Sequence, residues 1–502
     1  MSTQRTDWSF QESSLGQSFL WSLAITALPV MAGFVISWVI ARWSGPTVIG
    51  TVSWVMSFAT ILLIPAKFGL DLSASQLASE YGMKAPGQLR ALLRTSMGLR
   101  LAFTLGVSIL SLLFAAPIAR FFKDAELTVP IRIGALIVFC TSLYEFQENF
   151  LVGLNRFQTV YKIRSIHLSL RVLFTCVLVA LGGGAAVILS GYCAAWIIGI
   201  VFFGALLFRF LPAPDPSPVP GDHAKKLLRL SVALAVSGAS VTLYSHMDRL
   251  ILGYFSGVAE VGQYVVARNI AEVSLFPVFA AMMMLRPALA ARYSTGEVSE
   301  CSQIIRKTLR YTFVSGVWFC AVFVALGVPL VILVFSETFR SSGELLGLFV
   351  GVIAFRSVGA VILPALVAAD RTRLYAYLTM VSAAIYFGLC VLLIPRFESR
   401  GAVVATILSY GVLMVIGLKE VFRIYRVPLD WRSMTFPIRT ILAGVIASGI
   451  TWWCTERSPI KLNVVLGAAL VSVLYLSLIL ALRVGTFSDL RSLRSNLRKS
   501  KG

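Results

Sequence analysis

Charge is scarce in this chain. Only 13% of its 502 residues are Asp, Glu, Lys or Arg, where an ordinary soluble domain has roughly a quarter. Histidine is rarer still: the three histidines stand far apart at 167, 223 and 246, so no cluster of them points to catalysis or metal binding. The seven cysteines, at 140, 176, 193, 301, 320, 390 and 454, show no C-x-x-C spacing and lie mostly inside apolar runs. They are expected to act as small apolar packing residues, not as disulfides or ligands. The sequences G-x-x-x-x-G-K-[ST], H-E-x-x-H and G-x-S-x-G are all missing, which excludes ATP-driven transport on this chain and the familiar hydrolytic motifs. No cofactor and no metal is expected.

What fills the chain instead is apolar sequence. Hydrophobic residues make up 58% of it, and mean hydropathy is +0.84. Apolar runs fall at 18–40, 48–66, 95–116, 132–154, 163–182, 185–208, 230–255, 262–286, 310–335, 345–369, 374–394, 401–422, 437–455 and 463–483. Each is long enough for a helix crossing a hydrocarbon core of about 30 Å, and none shows the alternation of a barrel strand. The expectation is an all-α integral membrane protein of about fourteen transmembrane helices. The first run is too long for a signal-peptide core and is expected to stay in the membrane.

The formal net charge of +21 would suggest nucleic acid in a soluble protein. In a membrane protein, Lys and Arg collect in cytoplasmic loops. With the N-terminus inside, those loops and tails hold roughly three times the Lys and Arg of the opposite loops, so both termini are expected in the cytoplasm. The layout is then a cytoplasmic tail (1–17), a six-helix bundle (18–210), a Pro-rich cytoplasmic linker (211–226), a second six-helix bundle (227–422), two last helices (437–483) and a basic tail (484–502). That tail is suited to anionic membrane lipid.

The two halves echo each other. Ser44-Gly45-Pro46-Thr47-Val48-Ile49-Gly50 follows the first span, and Ser256-Gly257-Val258-Ala259-Glu260-Val261-Gly262 follows the seventh. Leu151-Val152-Gly153-Leu154-Asn155-Arg156 ends the fourth span, and Leu366-Val367-Ala368-Ala369-Asp370-Arg371 ends the tenth. Six spans separate the copies, so both halves enter the membrane in one direction. That is a parallel repeat about an axis along the membrane normal, with room for a site between the bundles.

These segments resemble a known family. The turn Gly45 to Gly50, the stretch Phe68-Gly69-Leu70-Asp71 with Ala74, and above all Asp248-Arg249-Leu250-Ile251-Leu252-Gly253-Tyr254-Phe255-Ser256-Gly257 with Val261-Gly262-Gln263-Tyr264 are similar to elements of the multidrug/oligosaccharidyl-lipid/polysaccharide exporter superfamily. Arg286-Pro287-Ala288-Leu289, Ile394-Pro395 and Arg400-Gly401-Ala402-Val403-Val404-Ala405-Thr406 resemble its polysaccharide branch. Glu398-Ser399 stands where that branch has a glycine, and Ala402-Val403 replaces an alanine pair. The resemblance runs from about residue 18 to 425. It implies a flippase for undecaprenyl-diphosphate-linked oligosaccharide in a bacterial inner membrane, working by alternating access, with polysaccharide polymerase or assembly proteins as further partners. A multidrug exporter of the same superfamily and a non-catalytic scaffold are the competing readings. A membrane glycosyltransferase or polymerase would need a sizeable loop with catalytic side chains, which is missing here.

Ionisable residues at membrane depth are the candidate site. Arg100, Glu145, Glu148, Arg171, Asp248, Arg249, Arg268, Glu272 and Arg356 would each cost about 2.5–3.5 kcal/mol facing lipid, so they are expected to face protein or a wet cavity. Asp248 is level with Arg268 on the next, antiparallel helix, and Glu272 lies one turn beyond Arg268. Glu148 is level with Arg171 and His167. Glu145 and Arg356 lie nearest the midplane, and Arg356 finds no acid at its level on the adjoining spans. Arg356, Arg171, Arg249 and Arg268 are therefore the candidates for holding an anionic headgroup, because guanidinium grips phosphate at two points. Glu145, Glu148, Asp248 and Glu272 are candidates for carrying a coupling H⁺ or Na⁺, or for bridging helices. Pro29, Pro277 and Pro364 interrupt otherwise regular spans and are expected to kink them.

Overall fold

The computed structural model describes residues 15–210, 223–428, 431–455 and 460–482. The Pro-rich run and both tails lie outside the described residues, apart from His223 onwards, which already belongs to a helix, and Leu15–Gln17, which open one. Among the described residues there is no strand.

Two helices are far longer than a membrane is thick. α1 (Leu15–Lys67) has 53 residues, about 80 Å at 1.5 Å per residue, and is broken at Gly45 (φ 82, ψ −179). The following Pro46 forces that extended ψ, and only glycine takes the positive φ without strain. The segment therefore crosses twice. α2 (Leu70–Lys84) is a less apolar helix that leads into α3 (Leu89–Leu113); the short α4 (Ala115–Phe121) leads into α5 (Thr128–Gly153), and α6 (Phe157–Ala180) and α7 (Ala185–Phe210) complete the first half.

The second half opens with α8 (His223–Ser256) and α9 (Val258–Ser274), followed by α10 (Phe276–Tyr293) at an angle of 48° to α9. Pro277 sits at the start of α10 and is the expected kink. α11 (Val298–Val334) is followed by α12 (Arg340–Gly359) and α13 (Ile362–Ala368), the latter carrying Pro364. α14 (Thr372–Ile424), again of 53 residues, is broken at Glu398 (φ 52, ψ −132). Pro29, by contrast, leaves α1 helical. α15 (Trp431–Thr455) and α16 (Ile460–Ala481) end the described chain and pack on α11 through Ala443, Ala447, Val471 and Tyr475. Among the described residues, ten stretches are long and apolar enough to cross, or eleven with the bent pair. Reading α1 and α14 as two crossings each, and α8 as one, gives about fourteen.

The repeat is visible in the backbone. Gly257 (φ 84) has the conformation of Gly45, and Asp370 (φ 56) that of Asn155 (φ 59). At both of the latter sites the helix ends in the same way. The Arg156 amide donates to the Leu151 carbonyl (3.0 Å) and the Arg371 amide to the Leu366 carbonyl (2.8 Å), a left-handed C-cap with its long return bond. The first pair of motifs also touches. A Cβ on Gly50 would run into the carbonyl oxygen of Val258, and one on Gly262 into that of Pro46. Pro46 and Val258 are themselves equivalent in the repeat, so the contact is reciprocal, as a two-fold axis requires. Toward the other end, Gly69 lies against the Ser231 backbone, and the Ser73 and Ser231 hydroxyls meet at 2.7 Å. The two halves thus close on each other above and below a space between them.

A cationic cavity between the two halves

That space is a cavity of about 270 Å³. α1 lines one side of it with Pro29, Gly33, Ser37 and Ile49; α6 and α7 bring Arg171 and Tyr192, and α8 and α9 bring Arg249, Asn269 and Glu272. Residues from both halves therefore share one wall. Helix periodicity explains the selection on α9, because Asn269 and Glu272 recur at one-turn spacing on a single face. Asn269 donates to the Ser37 hydroxyl (2.9 Å) and ties α9 to α1.

The two cavity arginines make no direct ion pair among the described residues, although Glu272 lines the same cavity. Arg171 lies over the rings of Tyr192 (4.2 Å) and Trp196 (5.0 Å), a cation–π seat on α7. Arg249 donates from Nη1 to Ser57 Oγ (3.1 Å) and lies 3.4 Å from His246 Nδ1. Among the described residues no ion pair reaches either guanidinium, and Nε of each is buried with no protein partner. Both guanidinium groups are partly buried and carry positive charge into the cavity wall.

The expected bridge between α8 and α9 is present. Asp248 is fully buried and forms a close ion pair with Arg268; it also accepts from the Tyr264 hydroxyl at 2.6 Å. Arg268 donates onward from Nε to Glu272 (3.1 Å) and from Nη2 to the Ser245 carbonyl (3.2 Å). Arg356 continues the chain. Its Nη1 lies 3.9 Å from Glu272, and its guanidinium faces the rings of Tyr410 (5.6 Å) and Phe279 (5.7 Å). A second, smaller cavity of about 90 Å³ lies here, lined by Tyr244, Tyr386, Tyr410, Arg268 and Arg356. Glu272 lines both cavities.

Three expectations are corrected. Arg356 does have an acidic neighbour: α12 packs on α9, not only on α11 and α14, and levels compared along consecutive spans miss that contact. Glu148 pairs with Arg164 (3.1 Å), not with Arg171, which lies two turns further along α6. His167 Nδ1 is instead 3.1 Å from the Ala195 carbonyl. Neither Glu145 nor Glu148 lines the larger cavity, and Arg356 lines only the smaller one. Glu145 is closely paired with Lys67, beside the fully buried Arg100, which bridges to Asp71 (2.9 Å) and donates to the Ser142 carbonyl (2.9 Å). Sequence reasoning misses this first-half network as a unit. Asp71 and Arg100 stand out separately along the chain, and only the packing of α2 and α3 against α5 joins them.

An all-helical membrane fold with an arginine-lined space between two repeated bundles is what these features define. It is the fold of the lipid II flippase MurJ in an inward closed conformation, with a TM-score of 0.73, 13% identity, and coverage of 92% of this chain and 98% of that one. An inward-facing multidrug resistance MATE family transporter of the MOP superfamily follows it, with a TM-score of 0.64, 14% identity, and coverage of 82% and 100%. The family model for polysaccharide biosynthesis proteins matches residues 15–291, more than half of the chain. The chain belongs to that family. A curated relative, the probable low-salt glycan biosynthesis flippase Agl15 of Haloferax volcanii, is 25% identical over 194 residues, which are 39% of this chain and 41% of that protein. The chain thus matches about 41% of the length of the curated relative. The names of these proteins describe flippases and transporters, not enzymes.

Proposed function

We propose that the protein flips a lipid-linked oligosaccharide, carried on undecaprenyl diphosphate, from the inner to the outer leaflet of a bacterial cytoplasmic membrane, for surface polysaccharide such as O-antigen, capsule or exopolysaccharide. The observation that carries this reading is the pair Arg171 and Arg249, one from each half, lining a shared cavity and making no ion pair among the described residues. A cationic drug would be repelled there, which sets aside the multidrug-exporter alternative. In this reading Arg171 and Arg249 hold the diphosphate, Arg268 and Arg356 add to the field from the neighbouring cavity, and rocking of the two repeated bundles exposes the site to each side in turn. No chemical step is required of the chain. Family membership and the flippase named among its relatives support the same substrate class.

The test is flipping in proteoliposomes with a defined undecaprenyl-diphosphate-linked glycan. Arg171→Ala and Arg249→Ala are each expected to lose at least tenfold in rate at normal abundance, roughly the loss of one charge-assisted phosphate contact. Wild-type rates in both variants would rule out the cavity as the headgroup site.

A further inference from the structure

Glu272 occupies an unusual place among the charges. Asp248 is fully buried and committed to Arg268 and Tyr264. The Glu272 side chain is 39% exposed and is held at 3.1 Å by Arg268 and more loosely, at 3.9 Å, by Arg356. It also lines the larger cavity, where Arg249 and Arg171 make no ion pair of their own among the described residues. Four arginines (171, 249, 268 and 356) and two acids (Asp248 and Glu272) leave this region with a surplus of two positive charges. A diphosphodiester carries two negative charges. With Glu272 neutral the surplus would be three, and a headgroup bound there would be overheld. A translocation site must bind firmly enough to load and weakly enough to unload.

We propose that Glu272 is a tethered counter-ion that competes with the cargo's diphosphate for the cavity arginines and so sets how readily the headgroup is released. This rests on the headgroup site proposed above. In the empty protein Glu272 offsets part of the field of Arg249 and Arg171. As the diphosphate enters, Arg268 and Arg356 hold the carboxylate back from it, and as the bundles reopen the carboxylate's repulsion favours exit. Glu272 is a positioning residue in this scheme, since it acts through the arginines.

The experiment uses the full chain, purified in detergent for binding and reconstituted for flipping, with farnesyl-diphospho-glucose as the probe. Glu272→Gln is expected to bind the probe about tenfold more tightly and to flip it about tenfold more slowly at saturation. Opposite movement of the two constants is not produced by a merely damaged fold. Glu272→Asp, which keeps the charge, is expected to return both toward wild type. Arg356→Gln loosens the tether and is expected to weaken binding; adding Glu272→Gln to it should restore tight binding. If Glu272→Gln alone is not monodisperse, this double variant, which removes one charge of each sign, supplies the measurement. Unchanged or weaker affinity in Glu272→Gln, or a double variant no tighter than Arg356→Gln, overturns the proposal. Arg171→Ala and Arg249→Ala serve as separate controls. If they bind the probe like wild type, the headgroup site itself is wrong; if they lose it while Glu272→Gln is unchanged, only the counter-ion role fails.

Discussion

Breaking the Asp248–Arg268 bridge separates two effects that the structure makes unequal. Arg268→Gln leaves Asp248 fully buried without its cation, with the Tyr264 hydroxyl and the Arg249 amide as its remaining close donors. Removing one partner of a buried pair costs about 3–5 kcal/mol, most of it the stranded charge. Asp248→Asn is milder, because Arg268 keeps Glu272 at 3.1 Å and the Ser245 carbonyl at 3.2 Å. Its cost is expected nearer the ~1–3 kcal/mol of a lost hydrogen bond to a charged group. The double variant leaves no buried Asp248 charge and should be about 2–3 kcal/mol more stable than the summed single losses predict, a coupling at the upper end for residues in contact. The assay is the apparent melting temperature and monodisperse fraction of detergent-solubilised fluorescent fusions. Arg268→Gln is expected to be less stable than Asp248→Asn, and the double variant more stable than the summed single losses would make it. Losses that simply add in the double variant would falsify the bridge as a stabilising pair, and a more severe Asp248→Asn than Arg268→Gln would refute the assignment of Glu272 as the second partner of Arg268.

Other consequences are simpler to check. Glu398 holds a positive φ of 52° where the resembling family has glycine, so Glu398→Gly should raise the melting temperature, with relief of about 1 kcal/mol or more of backbone strain; a lower value contradicts the strain. At Gly262 any Cβ meets the Pro46 carbonyl, and Gly262→Val should therefore cut folded yield severely while the same change at Gly106, which has open space, should be tolerated within about 1 kcal/mol of ordinary helix propensity. Equal yields would show that the halves do not close through this contact. Reporter fusions at Gly221 and after Lys501 should be active only as cytoplasmic reporters, and a periplasmic signal at either site would reverse the topology drawn from Lys and Arg.

Much of the architecture is legible in the amino-acid sequence alone. Apolar run lengths, the spacing of Pro and Gly, and the two motif pairs depend on local chemistry: a crossing helix needs its apolar length, Gly45 and Gly257 their positive φ, and Asn155 and Asp370 a left-handed cap. The Asp248–Arg268–Glu272 chain is also readable, because hairpin neighbours and one-turn spacing are sequence-local geometry. Other features follow from which helix lies against which, and no periodicity encodes that. The seat of Arg171 on Tyr192 and Trp196, the choice of Arg164 by Glu148, the union of Lys67, Asp71, Arg100 and Glu145, and the approach of Arg356 to Glu272 all arise from side chains on different helices brought together by packing. The cavity itself is of this kind. Its two unpaired arginines become a single site only because reciprocal glycine contacts draw the first half against the second.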